Sequence, residues 1–305
     1  MWNLIDLSLF PPGKFPKHNL LVRRGHLLRL PVAWLLLWVR GPAWGWGHLA
    51  HKLSGEICDR YLNQTTQHAV ERILGNETLA EASGWADQQR DQPTRFWQRE
   101  ATAYHFVTVP AGRDYRSVGP ARRGDAMTAL ADFRADLLSG DTSLARKQLA
   151  LRFAVHIIQD LHQPLHVGNG RDRGGNDFRV ALDRKRTNLH RLWDSQLLYT
   201  AGRSDRQWLR FFADSGLLRS PRTEDADPLL WVQESAELRE RIYPTDERID
   251  PDYLRANLPR AEIRVALAGI RCAAWLNATL GDVATAPDSS TPSSKTLLPW
   301  WQRIL

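Results

Sequence analysis

Apolar positions along the chain recur mostly at helical spacing. Over residues 49–62 they fall at 49, 50, 53, 57, 58, 61 and 62, the rhythm of a helix with one buried face. Residues 67–74 repeat it before Gly75, and 79–89, 127–138, 144–162, 206–213, 228–242 and 261–280 carry it through the chain. Period-two alternation is scarce. Residues 103–110 read as a short extended run that places His105 on one face with Val107 and Val109. Residues 168–177, with several glycines, read as a loop, and 178–182 with 186–188 as a small hairpin about a basic turn. The expected fold is all-α, a single compact multi-helix domain with one small β-hairpin.

One helix carries unusual polar residues. In the stretch 153–167, FAVHIIQDLHQPLHV, His156 and Asp160 are four apart, about 40° of rotation on a helix, so both leave one face a turn apart. Phe153, Val155, Ile157, Ile158 and Leu161 cover nearly all the remaining circumference, as in a buried helix. Pro164 stops the helix and biases Gln163 out of the α region, which lets His166 turn toward the same cleft. The H-x-x-x-D spacing recurs at His190 and Asp194. Taken alone, one such pair reads as a core histidine hydrogen-bonded to an aspartate; two in one chain favour metal ligation. Asp87 and Arg90 share a helix face, which by itself reads as a surface ion pair.

Charge changes the picture at the N-terminus. The chain of 305 residues has a formal net charge of +7, but residues 1–45 hold six basic residues and one acidic, so the remainder carries only +2. The basic balance is therefore poor evidence for a nucleic-acid-binding face. Basic residues through Arg29 precede the apolar run 30–39, too short to span a bilayer stably, and Ala43-Trp44-Gly45 offers small residues at both cleavage-recognition positions. Residues 1–45 read as a secretory leader, Arg23-Arg24 being a poor fit to a twin-arginine signal, and the mature protein is expected to be secreted or periplasmic and without stable membrane association. Residues 46–283 form the expected domain, and 284–305, rich in Ser, Thr and Pro at its start, a flexible tail.

Cleavage after Gly45 would expose Trp46. A free α-amine and the adjacent carbonyl can chelate a metal in a five-membered ring, with His51 joining if the chain turns helical; taken alone, Trp46 is a hydrophobic anchor and His51 a surface histidine. Five histidines (His51, His105, His156, His166, His190) thus stand in ligand-like contexts beside Asp87, Asp160 and Asp194, an imidazole and carboxylate donor set without thiolates that suits catalytic zinc. Cys58 and Cys272 lie outside these clusters, on the first and last helices, as a disulfide or as two buried thiols.

The motifs W-x-x-x-x-H from Trp46, W-A-D-x-x-R, Y-H-F, H-x-x-x-D-x-H-Q-P-L-H, G-G-N-D, T-N-L-H-x-x-W-D and W-x-x-E-S of 231–235 together resemble the secreted single-strand-specific nucleases of fungi and plants that use three zinc ions, distant relatives of bacterial zinc-dependent phospholipase C. The resemblance, running from Trp46 to near Leu280, implies one zinc held by Asp87, His105, His156 and Asp160. A second would be held by His166, His190 and Asp194, and a third by the amine and carbonyl of Trp46, His51 and a bridging oxygen of Asp160. It implies hydrolysis of single-stranded DNA and RNA to 5′-nucleotides, with 3′-nucleotidase activity, by zinc-activated water; Asp87, Asp160 and Arg90 are the catalytic set, Arg90 neutralising phosphate charge. Phe106, Thr108 and Asn188 are the implied substrate contacts, and His162 binds no metal. Thr108 stands where the fungal enzymes carry an acidic residue that bonds the base, so the base-edge hydrogen bond differs here. A lipid phosphodiesterase is disfavoured by the short spacing from Trp46 to His51 and by Asp194 in place of a glutamate, and a non-catalytic zinc-binding protein leaves Arg90 and Phe106 unused.

Overall fold

The computed structural model describes residues 46–281; the expected leader, 1–45, and tail, 284–305, lie outside the described residues. Most of the helices begin where polar side chains satisfy orphan N–H groups. After α1 (His48–Arg60) and α2 (Gln64–Leu74, capped by Asn63), α3 (Leu79–Gln89) starts at a reciprocal Thr78–Glu81 box. The short α4 (Tyr115–Val118) and α5 (Ala126–Leu138) follow, α5 with an Asp125–Thr128 box, and then α6 (Leu144–Asp160), capped by Ser143. Next come α7 (Leu189–Arg191), α8 (Leu197–Tyr199), α9 (Asp205–Asp214), α10 (Pro228–Arg239) and α11 (Pro251–Leu280). In the last two, proline takes the first helical position after an aspartate cap, where its missing N–H costs nothing.

Helices α3 and α11 pack against α1, and α3 and α5 against α6. The approaches are close. A Cβ on Gly55 would stand 2.6 Å from Ala80 Cα, and one on Gly269 would stand 2.5 Å from Ile57 Cβ. Every residue of α6 from Phe153 to Asp160 is buried. Phe153 anchors an aromatic cluster, stacked on Phe133 and Trp97 at ring distances of 5.1 and 5.5 Å and edge-on to Trp85, Phe96 and Tyr104. That cluster fixes the helical turns Phe96–Glu100 and Ala101–His105 against α6 and so sets where His105 can lie.

Two two-stranded pairs complete the described fold. Strands β1 (Val107–Thr108) and β2 (Val167–Gly168) run parallel, and β3 (Arg179–Leu182) and β4 (Lys185–Asn188) form the expected hairpin, turning at Asp183 and Arg184 with φ of 48° and 65°. The mostly helical class is as expected; the parallel pair was not anticipated. Three local expectations are corrected. His105 ends a helical turn and is not on a strand, because the aromatic contacts hold 101–105 helical until Phe106 extends. Helix α6 stops at Asp160, two residues early, where the chain tightens toward Pro164. Helix α11 starts ten residues before Ala261 and continues through Pro259; Tyr253, Leu254 and Leu258 pack on the core and outweigh the roughly 3 kcal/mol cost of an internal proline. By length and composition this 30-residue helix could cross a membrane, but 78% of its apolar window is buried in the protein, as in a core helix. Cys58 and Cys272 are free, buried thiols, one on α1 and one on α11.

Candidate metal centre

The C-terminal end of α6 delivers His156 and Asp160 into the interior with no exposed surface on either. The two carboxylate oxygens of Asp160 face different neighbours. Oδ1 lies 3.2 Å from the main-chain nitrogen of Trp46 and 3.4 Å from His51 Nε2. Oδ2 lies 3.0 Å from His105 Nδ1, 3.1 Å from His156 Nε2 and 3.6 Å from His166 Nδ1. A carboxylate in this position can bridge two cations.

A second focus lies beside the first. His166 ends the turn Pro164–His166, and His190 and Asp194 lie one turn apart across α7 and the wider turn Leu192–Gln196. Nε2 of His166 is 3.5 Å from Asp194 Oδ1, and Nε2 of His190 is 3.3 Å from Oδ2. Donor atoms of His105, His156 and Asp160 lie within 4.8 Å of one another, as do those of His166, His190 and Asp194. Asp87 departs from the expected partition: its close set is with His51 and His156, whose rings stack at 4.2 Å, so it faces the seam between the first and third expected sites.

Backbone carbonyls orient the imidazoles. His156, His166 and His190 each place Nδ1 2.6–2.7 Å from a main-chain oxygen, of Ser83, His105 and Gly174 respectively. A carbonyl only accepts, so each Nδ1 carries the proton and each Nε2 turns its lone pair to the cluster. His51 Nδ1 meets Gln159 Oε1 at 2.6 Å. Turned over, the Gln159 amide would donate to His51 O at 3.3 Å and accept from Gly55 N–H at 3.3 Å, satisfying more of its neighbours, but only with Oε1 toward His51 does His51 Nε2 keep a lone pair for a metal. Gln163 Nε2 donates to Asp194 Oδ1 at 2.7 Å, and Gly47 N–H donates to Asp194 O at 2.6 Å, tying the start of α1 to the second focus. These supporting groups were not singled out from the sequence. Gln159 and Gln163 stand inside the motif around Asp160, a signal that was there to read.

The donor set fits metal ions on an observation independent of any family. Nε2 of His51, His166 and His190, Oδ1 of Asp87 and Oδ2 of Asp194 are buried, converge on the cluster and lack a hydrogen-bond partner. Buried polar atoms in such number are costly unless something completes them. Burial pushes the His156 and His166 imidazoles toward neutrality, but Asp160, with Asp194 at His166, overrides it and raises each to about 9. Burial works against the Asp160 carboxylate too, yet the surrounding histidines hold it well below its usual range. His105 and His190, where burial dominates, are shifted down. The site demands positive charge between its carboxylates, and a metal cation meets that demand more directly than two protons do.

Other expected residues lie around the rim. Arg90 caps α3 and, with Ala86, Trp97, Ala101, Thr102 and His105, lines a small cleft on the His105 side. Asp87 opens on a neighbouring cleft with His48, His51, Gly84 and Gln88. Half-buried Phe106 follows His105, and Thr108 is exposed beside Gly170. Asn188 caps α7 through Oδ1, which accepts from Arg191 N–H at 2.8 Å, so its amide nitrogen is the part left to meet a ligand. His162 turns away from the cluster: its Nδ1 bonds Ile158 O at 2.7 Å, and burial with Arg264 and Arg271 holds its pKa well below the usual range.

Comparison with known proteins gives a consistent answer. The S1/P1 Nuclease family model matches residues 46–281. Nuclease S1 of Aspergillus oryzae is 28% identical over 283 residues, covering 81% of this chain and 96% of the relative. Endonuclease 2 of Arabidopsis thaliana is 25% identical over 290 residues, 84% of this chain and 98% of the relative. Nuclease P1 of Penicillium citrinum is 29% identical over 162 residues, 50% and 58% of the two chains.

Proposed function

The chain belongs to the S1/P1 nuclease family, and from that premise we propose that it is an exported, zinc-dependent endonuclease hydrolysing single-stranded DNA and RNA to 5′-nucleotides, with 3′-nucleotidase activity. The observation that carries the metal-dependent reading is the division of Asp160, whose Oδ1 faces Trp46 and His51 while Oδ2 faces His105 and His156. Asp87, His105, His156 and Asp160 would hold one zinc, His166, His190 and Asp194 a second, and Trp46, His51 and Asp160 a third. Bound zinc would supply Lewis acidity, bringing the pKa of a water near neutrality and accepting charge on the departing oxygen. In the reaction a water oxygen adds to phosphorus and the bond to the 3′ oxygen breaks, leaving phosphate on the 5′ side. Arg90, in the cleft beside His105, neutralises the non-bridging phosphate oxygens. Phe106 offers a face for a base, with Thr108 and Asn188 as polar contacts; an unstacked base reaches them more readily than a paired one. Export with cleavage after Gly45 is supported by the place of the Trp46 nitrogen inside the donor cluster, where a freed amine could ligate. The test is zinc analysis of the processed protein with end-group analysis of its products on single-stranded DNA. Three zinc ions and 5′-phosphate ends are expected; one or no zinc, or 3′-phosphate ends, would overturn the reading.

A further inference from the structure

The small net charge of residues 46–281 conceals a strong local asymmetry. Residues 110–123 hold four basic residues and one acidic, and residues 169–191 seven basic and three acidic. Outside these two segments the described chain has 22 basic against 27 acidic residues, and it stays acidic when Asp87, Asp160 and Asp194 are set aside. The fold then puts the two segments together. Strands β1 and β2 are parallel, so their starts, which follow the donor residues His105 and His166 in the chain, lie at one end of the pair, and their other ends both lead into the basic segments. The first segment returns to Phe106, whose carbonyl accepts from Ala126 N–H at 3.1 Å. The second returns to the cluster at Gly174, whose carbonyl accepts from His190. Gly170 of one segment stands against Thr108 beside the other.

These charges are exposed and mostly uncompensated. All eleven basic side chains are exposed, and among the described residues only Arg173 forms an ion pair, with Asp177 at 2.6 Å. Among the described residues, the three non-glycine residues with positive φ, Arg173, Asp183 and Arg184, all lie in the second segment. At Asp183 and Arg184 this is the ordinary geometry of a two-residue hairpin turn, which sets a basic residue at the exposed tip. Arg184, Lys185 and Arg186 follow one another at the hairpin tip, and all three are exposed.

Building on the nuclease reading, we propose that these two basic segments form a track for the phosphates of single-stranded nucleic acid flanking the cleaved linkage, so that the enzyme holds a strand over several nucleotides. Spaced cations with no carboxylate partner suit a polyanion, and binding releases its counterions. The test uses the processed protein, a variant Arg184→Asn/Lys185→Ser/Arg186→Ser, and a charge-matched control Arg72→Ser/Arg206→Ser/Arg210→Ser, whose three sites are exposed and lie outside both segments. Binding of a long, phosphorothioate-linked single strand that resists hydrolysis is measured against salt, with melting temperature checking the fold. Three lost phosphate contacts should reduce the slope of log K against log salt by about 2 in the hairpin variant. The control should keep the wild-type slope. Equal slopes in the two variants would overturn the track, as would loss of binding to phosphatidylserine vesicles with strand binding intact. A wild type that binds the strand with this slope yet hydrolyses no unmodified strand would refute the nuclease reading and leave the track standing.

Discussion

Replacing Gly174 by alanine should loosen the second metal focus without touching a ligand. Gly174 has φ of 62°, and a Cβ built there would stand 2.2 Å from the carbonyl oxygen of Leu165. The backbone conformation alone costs an L-residue about 1–2 kcal/mol. The contact must also open by roughly 1 Å, and neither side is a flexible side-chain tip. Leu165 immediately precedes His166, and the Gly174 carbonyl holds His190 Nδ1 at 2.7 Å, so either displacement misaims an imidazole. Loss of a comparable supporting bond lowers metal affinity roughly 10- to 100-fold, or about 1.4–2.8 kcal/mol. Gly202 provides a matched control: its φ is also 62°, and a Cβ there meets nothing within 4 Å. Gly202→Ala therefore carries the backbone strain without the collision. Both variants and the wild type would be equilibrated against buffered zinc, with bound zinc per chain measured by elemental analysis. A half-saturation point shifted at least tenfold for Gly174→Ala, and unshifted for Gly202→Ala, is expected. The same saturation curve for both would refute the argument that the Gly174 carbonyl and the Leu165 contact set the focus.

Arg90→Ala should lower kcat on single-stranded DNA by about 10² or more at unchanged zinc content if, as proposed, the guanidinium acts on phosphate charge and is not a ligand; zinc loss or near-normal turnover would count against that role. A chain extended by a few residues before Trp46 should bind less zinc and turn over slowly, since an amide nitrogen is a far poorer donor than an α-amine; comparison with a chain starting at Trp46 checks this, and equal zinc and equal rates would contradict it. Glu234 accepts from both Arg264 and Arg271 at 2.6–2.7 Å. Glu234→Ala should destabilise the fold by about 3 kcal/mol, read by denaturant unfolding, because it takes from two buried guanidinium groups the carboxylate nearest to both. Burial opposes the Glu234 carboxylate, but Arg271 and Arg264 outweigh it and hold its pKa below the ordinary 4.5. Its stabilising contribution is therefore complete above 4.5 and lost as pH falls through the lower, folded value. Wild-type melting temperature should drop more steeply in that acid range than that of Glu234→Gln, and parallel curves would show that the pair does not titrate with folding.

What was legible in the sequence was local. Helix α3 begins and ends at the residues its apolar pattern marks, and the spacing of His156 and Asp160 on α6 needs only helical geometry to put both on one face. His105 was misplaced because its conformation is set from a distance: Phe96, Trp97 and Tyr104 gather on Phe153 and hold the chain helical where alternation of Val107 and Val109 suggested a strand. Proline at 259 similarly masked the first turns of α11, whose stability comes from packing.

The site divides along the same line. Ligand candidates announce themselves because imidazoles and carboxylates are the donors, and side-chain identity is what a sequence records. The groups that aim them are main-chain carbonyls of Ser83, His105 and Gly174, and every residue type has a carbonyl. Only Gly174 leaves a trace, since its backbone requires a missing Cβ. Charge behaves in the same way. Summed along residues 46–281 it nearly vanishes, whereas the parallel pairing of β1 and β2 brings two basic segments, far apart in the chain, to one end of one small sheet. A field at a surface depends on where charges stand, and a total summed along the chain does not record that.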